Sequence, residues 1–300
     1  MFNLNQLYHF RLVAETGNFA QAAKRAHITQ PALSNSIRTL EERAGLKLFD
    51  RSERPIKLTP VGRNLLSRTE SLLKEAKNFE KEVMYLGRGM AGELRIGFTA
   101  QSSGSMGGRI LGEWQAQNPK MSADVTVADT PALIELLKAE QLDLIIGDGR
   151  DLPSHSSDLE MIPIPPEVGG IFCRANHPLL KDDNLNFKSL LPYRFAGAHL
   201  SETLLDALAD RFNLRDRHEI HFAIKSDNIA VLRDAVMHSD LILLSTPGAV
   251  HNEIAAGFMA KLPIDPEELA IWFSVTLKTT VAHPAMSNLR KVIEEKTKPQ

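Results

Sequence analysis

In the stretch TQPALSNSIRTLEERAG, Gln30, Ser34 and Arg38 recur every four residues, with Asn35 beside them. On an α-helix that spacing makes one stripe, and Leu33, Ile37 and Leu40 make another on the far side. A wet helix face ordinarily carries long charged side chains. This one carries short or planar hydrogen-bonding groups, of the kind that reach base edges in a DNA major groove. An amide pairs bidentately with adenine and a guanidinium with guanine. Ser34 is small enough for close approach, and Pro31 and the methyl of Thr29 can touch a thymine methyl. Arg51 and Arg54 follow in DRSERP, and planar guanidinium groups suit phosphates. The plainer alternative is a solvated helix face in an α+β domain.

The elements that must position these groups can be read on either side. A first helix is expected over residues 4–14, stopped by Gly17. Asn18 then caps an alanine-rich second helix over residues 19–26, where small side chains admit a close neighbour. His27 and Ile28 form the turn, Thr29 is the next cap, and Pro31 sits in the first helical turn, where its missing N–H costs nothing. Gly45 ends this third helix. Leu48/Phe49 and Ile56/Leu58 are apolar arms around a polar tip, which reads as a short hairpin or wing. Two helices, a tight turn and a third helix with such a face make a helix-turn-helix, whose last helix enters the major groove.

Thr59 and Pro60 open a long helix over residues 61–88. Leu65, Thr69, Leu72, Ala76, Phe79, Val83 and Leu86 alternate at steps of four and three, the seam of a coiled coil. A dimerising linker is favoured over an amphipathic helix lying on its own domain, and Gly87, Gly89 and Gly92 mark a hinge. Beyond it strands and helices alternate. ELRIGFT, the loop AQSSGSMGG and a helix, MSADVTVAD, a helix capped by Thr130 and Pro131, and LDLIIGD form one βαβαβ unit. GGIFCRA, YRFAGA, EIHFAIK and LILLS with their helices form a second, and AIWFSVTLK with AMSNLRKVIEEKTK closes the chain. The pattern predicts parallel sheets with helices on both faces, and a cleft between two lobes at the carboxyl ends of strands. The loop TAQSSGS, leading into a helix N-terminus, favours an anion such as a carboxylate.

Length and composition agree. The 300 residues, 43% hydrophobic and 24% charged, suit a globular chain of about two domains. Residues 1–88 hold 15 Lys and Arg against 9 Asp and Glu, and the remainder 20 against 28. A basic module joined to an acidic domain fits a polyanion-binding head. No apolar run is long enough to span a bilayer, and MFNLNQLYHF lacks the pattern of a signal peptide, so a cytoplasmic protein is expected. The single cysteine, Cys173, excludes a disulfide framework and reads first as a buried small hydrophobe, second as a redox sensor.

The residues 4–62 resemble the winged helix-turn-helix of LysR-type transcriptional regulators, through F...A..A, TQPALS, I..LE...G..LF.R and LT..G. The likeness beyond residue 90 lies in layout more than in motif. HPLL at 177–180 matches, whereas the family's glycine-rich G.G...LP is replaced by HSDLILLSTP, which keeps Pro247 alone. The resemblance implies an α/β chain in three parts: a winged helix-turn-helix over 1–60, a dimerising linker helix and hinge over 61–90, and a two-lobed effector domain over 91–300. That domain would be similar to type 2 periplasmic binding proteins, with lobe I over about 91–163 and 265–300 and lobe II over about 164–264. It implies that Thr29, Gln30, Pro31, Ser34, Asn35 and Arg38 face DNA, with Arg51 and Arg54 on the wing. It implies an effector site at Thr99, Gln101 and Ser102, at Asp148 and Arg150, and at Gly197, His199, Phe222 and Ser226.

Enzyme chemistry is not expected. Ser154, His155 and Asp158 are close in sequence, but a triad needs ordered hydrogen bonds, and this segment reads as a surface loop. GSMGG lacks the Lys-Ser/Thr of a P-loop, and the histidines show no metal spacing. No cofactor is implied. The expected partners are double-stranded promoter DNA, a small effector that is a carboxylate or other anion, and further copies of the chain as a dimer through the linker and a tetramer, with no membrane. Alternatives are a ligand-independent repressor or architectural protein, and a redox sensor acting through Cys173.

Overall fold

The computed structural model describes residues 2–52, 55–88, 91–152, 156–200, 202–264 and 269–297. Gly89, Arg54, Ser154 and His155 therefore lie outside the described residues. The chain divides into two compact units, residues 1–87 and 88–300, each considered by itself.

In the first unit, local signals set each helix. Helix α1 (Leu4–Thr16) ends where Gly17 takes a left-handed φ of 58°. Asn18 caps α2 (Phe19–Arg25), its side chain accepting from the Ala20 and Gln21 amides at 2.8 and 3.1 Å. Thr29 caps α3 (Gln30–Ala44), which carries Pro31 in its first turn and ends at Gly45. Ala22 and Ala23 are buried, so α2 sits close against its neighbours. Leu33, Ile37 and Leu40 enter a core with Phe10, Leu12, Val13, Leu48 and Phe49. The wing is an antiparallel pair, β1 (Phe49–Asp50) and β2 (Lys57–Leu58).

Helix α4 (Pro60–Arg88) begins against that wing. Thr59 caps it, accepting from the Gly62 amide at 3.0 Å and donating to the Lys47 carbonyl at 2.8 Å. A Cβ on Gly62 would stand 2.2 Å from the Leu48 carbonyl oxygen, so only glycine lets helix and wing meet. Along α4, Leu72, Phe79 and Val83 are 55%, 66% and 52% exposed. Thr69, in the same row by spacing, is buried within the chain, so the seam is not uniform. Gly87 is helical, so the turn away from α4 begins later than that glycine.

The second unit contains two five-stranded sheets. The first has the order β4-β3-β5-β14-β6, with β3 (Gly92–Phe98), β4 (Met121–Val127), β5 (Leu144–Asp148), β6 (Leu159–Pro163) and β14 (Trp272–Leu277). Strand β3 is parallel to β4 and β5, but β14 is antiparallel to β5 and β6. The expected all-parallel sheet is thus mixed, because the chain leaves this lobe through β6 and re-enters it through β14. The second sheet has the order β10-β9-β11-β8-β12. Its strands are β8 (Gly170–Arg174), β9 (Phe195–Gly197), β10 (Phe222–Lys225), β11 (Ile242–Ser245) and β12 (Met259–Lys261). Here β8 is antiparallel to β11 and β12. Two crossing strands, β7 (Glu167–Val168) and β13 (Leu269–Ala270), pair between the sheets.

Helices cover both faces of each sheet, as the buried clusters show. On the first sheet, α6 (Gly108–Gln117) and α12 (Ala285–Lys296) pack Ile110, Trp114 and Leu289 on one side, and α7 (Thr130–Lys138) packs Leu133 and Leu137 on the other. The second sheet is covered by α8 (Phe187–Leu190) and α9 (Glu202–Arg211) on one side and α10 (Ile229–Met237) on the other, with α11 (His251–Ala255) beside β12. The AQSSGSMGG stretch is not a loop. Helix α5 (Ala100–Ser102) starts directly after Thr99 and continues as a π-helical turn over Ser103–Gly107 into α6. In HSDLILLSTP, Ser239 donates to the Ala235 carbonyl at 2.6 Å and Arg174 grips Asp240 at 2.7 Å, so side chains close the turn that lacks the glycines.

Candidate DNA-reading face and ligand cavity

The back of α3 is anchored and its front is open. Gln30, Pro31, Asn35 and Arg38 are exposed and Ser34 is half-buried. Arg38 donates to the Asn35 side-chain oxygen at 2.7 Å and approaches Glu42 at 3.7 Å, so these two planar groups are pre-aligned. Thr29 spends its hydroxyl on the Ala32 amide, leaving its methyl free to make contact. Ser36, on another face, meets His9 Nδ1 at 2.8 Å and ties α3 to α1. A groove of about 700 Å³ brings Gln30, Ser34 and Arg51 together with the start of α2 and Pro55. Thr29, Pro31, Asn35 and Arg38 lie on the helix outside that groove.

Arg51 has partners of its own. Its guanidinium lies 5.3 Å from the centre of the Phe19 ring, and Nη2 donates to Glu41 at 3.0 Å. Glu41, only 2% exposed, also accepts from the Leu48 and Phe49 amides at 2.8 and 3.3 Å. Glu41 is not among the residues expected at the DNA face, although i+4 from Ile37 places it on the buried side of α3.

In the second unit a cavity of about 420 Å³ lies between the sheets. Of the residues expected at an effector site, Thr99, Gln101, Asp148, Arg150 and His199 line it. Four expected residues do not. Ser102 is fully buried and donates to the Ile146 carbonyl at 2.6 Å, so it staples α5 to the sheet. Gly197 lies within β9, and a Cβ there would meet the Phe222 ring at 2.8 Å. Phe222 packs instead near Phe195, with ring centres 6.1 Å apart. Ser226 closes a turn, its amide donating to the Gly197 carbonyl at 3.1 Å. The cavity begins one residue past the end of β9, at Ala198.

The cavity has two textures. Leu200, Leu204, Leu208, Leu244, Ala270 and Trp272 form an apolar wall. The Trp272 indole nitrogen is buried with no hydrogen-bond partner among the described residues. The polar part holds Thr99, Gln101, Thr130, Ser245 and Thr246, where α5 and α7 begin. Ser245 donates to Gln101 at 3.1 Å. The charges come mostly in pairs. Arg150 meets Asp148 through Nε at 2.9 Å and Nη2 at 2.5 Å, so its positive charge is not isolated. His199 meets Asp227 at 3.1 Å, and Asp129 caps α7 by accepting from Ala132 at 2.8 Å. Ser245 and Thr246 end the apolar run LILL, and the rule that ligands gather at carboxyl ends of strands would have found them.

Beside the cavity, Ser105 of the π-helical turn donates to Glu167 on β7. Thr246 lies 2.7 Å from the Ser105 hydroxyl, and the Gly248 amide donates to Glu167 at 2.6 Å. Elsewhere, Cys173 is fully buried in β8, and burial pushes its thiol up to about 12, the opposite of a reactive thiolate. The redox-sensor alternative therefore has no accessible sulfur to act through. Among the described residues there is no group of three or more His, Cys, Asp or Glu placed to hold a metal, and no helix long and apolar enough to cross a membrane.

Comparison with known proteins agrees along the whole chain. The family model described as the bacterial regulatory helix-turn-helix protein, lysR family, matches residues 4–63, and the LysR substrate binding domain matches residues 87–298. An SDS degradation transcriptional activation protein of a Pseudomonas species is 32% identical over 268 residues, covering 89% of this chain and 86% of that protein. The transcriptional activator IlvY of Haemophilus influenzae is 25% identical over 272 residues, covering 86% of this chain and 89% of its own. Full-length OxyR from Pseudomonas aeruginosa shares the fold with a TM-score of 0.58 at 20% identity, over 99% of this chain and 95% of that one. Full-length CbnR, solved in complex with its target DNA, gives 0.53 at 18% identity, over 98% and 100%.

Proposed function

Because the chain belongs to the LysR family of bacterial transcriptional regulators, we propose how its two units divide the work of a DNA-binding regulator with an effector domain, which is not an enzyme. The first unit reads promoter DNA in the cytoplasm. Gln30, Ser34, Asn35 and Arg38 meet base edges, Thr29 and Pro31 add apolar contact, and Arg51 and Arg54 take phosphates. What carries this reading is the buried back and open polar front of one helix, set beside a basic wing. Two copies pair through Leu65, Leu72, Phe79 and Val83 of α4, so two recognition helices reach two half-sites. A dimer of such dimers is the assembly expected.

The cavity supports an effector with an anionic head and an apolar body. The helix start at Ala100 favours an anion, to which Arg150 and His199 would turn from their pairings with Asp148 and Asp227, and Trp272 has an indole N–H to give. The wall of Leu200, Leu204, Leu208 and Leu244 suits an alkyl chain. The relative concerned with degradation of SDS, an alkyl sulfate, points to the same chemical class. Contacts made in only one arrangement of the lobes would shift the population toward it.

Gel shifts and calorimetry test the two halves separately. Ser34→Ala and Arg38→Ala should each weaken specific binding about tenfold or more, the scale of a good base contact. Unchanged binding would remove the assignment of the reading face. Octyl sulfate or octanoate, below micellar concentration, should raise the melting temperature, and octanol should do so less. Leu204→Trp, which fills the cavity, should abolish the effect. Equal stabilisation by octanol would reject the anionic head, and no response to any of the three would reject the class.

A further inference from the structure

We propose that Glu41 is a positioning residue for DNA binding: from the inner face of α3 it fixes the wing and holds Arg51 at the groove beside Gln30 and Ser34. The proposal rests on the reading of Arg51 as a phosphate contact. It goes beyond that reading by naming a buried residue, with no access to DNA, on which the contact depends.

The position of Glu41 is unusual for its chemistry. A carboxylate among Ile37, Leu40 and Leu48 gives up nearly all its hydration, which is unfavourable unless every lone pair is matched. Among the described residues three hydrogen bonds and one further cation meet it, all from one stretch of chain. Oε1 accepts from Leu48 and Phe49, the amides that open the wing, at 2.8 and 3.3 Å. Oε2 takes Arg51 at 3.0 Å and stands 3.8 Å from Lys47. These four partners lie between residues 47 and 51. The helix that carries the base-reading face thus also dictates where the wing begins.

The effect on Arg51 is specific. A free arginine has many rotamers, and a phosphate contact must immobilise it. Between the Glu41 carboxylate and the face of the Phe19 ring, this guanidinium already has a plane and a direction. It has five N–H donors, of which the bond to Glu41 uses one, and its side chain is still 47% exposed. Glutamine at 41 would keep an acceptor for the wing amides but would turn an uncharged amide toward Arg51. Aspartate is one methylene shorter.

The test uses full-length protein and a duplex recovered by the wild type from a random-sequence library. Binding is measured over a range of salt for wild type, Arg51→Ala, Glu41→Gln and the double variant. Loss of one phosphate contact should make the log–log salt slope shallower by about one. Arg51→Ala should show this with a loss of about three- to tenfold in affinity. Glu41→Gln should reproduce both effects, and the double variant should be no worse than Arg51→Ala. If Arg51→Ala binds as wild type does, the wing reading fails and the proposal with it. If Arg51→Ala is weakened but Glu41→Gln keeps wild-type affinity and slope, or if the two losses multiply, the wing reading stands and the positioning role is wrong. Arg51→Lys is a check that leaves the buried carboxylate alone. It should keep the charge and the slope yet lose affinity, because the planar fork is gone. Wild-type affinity in Arg51→Lys would overturn the proposal even if Glu41→Gln did not fold.

Discussion

Ser105 and Thr246 face each other at 2.7 Å, one from the π-helical turn of the first lobe and the other from the end of β11 in the second. Ser105 also donates to Glu167, so its hydroxyl accepts from Thr246, and a single oxygen couples both lobes to a crossing strand. Both hydroxyls are buried, with 2% and 4% exposure. Thr246 also lines the cavity, so an effector that draws on its hydroxyl competes with this link. Thr246→Val keeps the shape and removes the donor. It should destabilise the chain by about 1–3 kcal/mol, seen as a melting temperature lower by several degrees. An unchanged melt would mean that the link contributes nothing to holding the lobes together.

Acid should weaken the fold before its carboxylates titrate. Burial lowers the pKa of His9 and of His283 below the ordinary 6.5, so the folded chain holds both neutral. The unfolded chain protonates first as pH falls. Their contribution is therefore whole above about pH 6.5 and is lost as pH drops through the lower folded values. Urea midpoints should fall between about pH 7 and about pH 5.5, and His283→Gln should flatten part of that fall. A midpoint that rises on acidification would refute the assignment.

Cys173 should be silent toward oxidants and alkylating agents. At about pH 8 iodoacetamide should label the urea-unfolded chain and leave the folded one untouched, since burial pushes the thiol up to about 12. Cys173→Ser should leave any promoter response to peroxide unchanged. Rapid labelling of the native protein would show that β8 opens.

Pairing through α4 should fail when charge enters the exposed row. Leu72→Lys and Phe79→Lys replace side chains that are 55% and 66% exposed in the single chain, so each should leave the fold intact. Sedimentation should then show a smaller assembly, and affinity should drop for a duplex with two half-sites more than for one with a single half-site. An assembly of wild-type size would move the interface elsewhere.

The legible parts of this molecule are those whose signals are local. Asn18, Thr29, Gly17 and Gly45 punctuate the first three helices, and the 3.6-residue period separates Leu33 and Ile37 from Gln30 and Ser34. The parts that stayed hidden depend on partners distant in sequence. Strand β14 runs antiparallel to β5 only because the chain has visited a second lobe and returned. AQSSGSMGG looked like a loop because glycines and serines disfavour helix, but Thr99 caps it and the Ser102–Ile146 bond holds it to the sheet. Gly197 and Ser226 each precede a lining residue by one position, and Phe222 packs on Gly197 and Phe195, distinctions that spacing alone does not resolve. The resemblance brings Asp148 and Arg150 to one site, but does not imply that they bond to each other there.

The Gly62 contact with the Leu48 carbonyl has a genetic corollary. Every amino-acid substitution at this codon adds a Cβ where backbone already stands, whatever the chemistry of the new side chain. A screen for lost regulation should therefore recover position 62 alongside the base-facing positions, although it touches no base. Those alleles should be recessive when the altered chain cannot fold well enough to pair, and dominant when it still pairs and disables its partner's half-site.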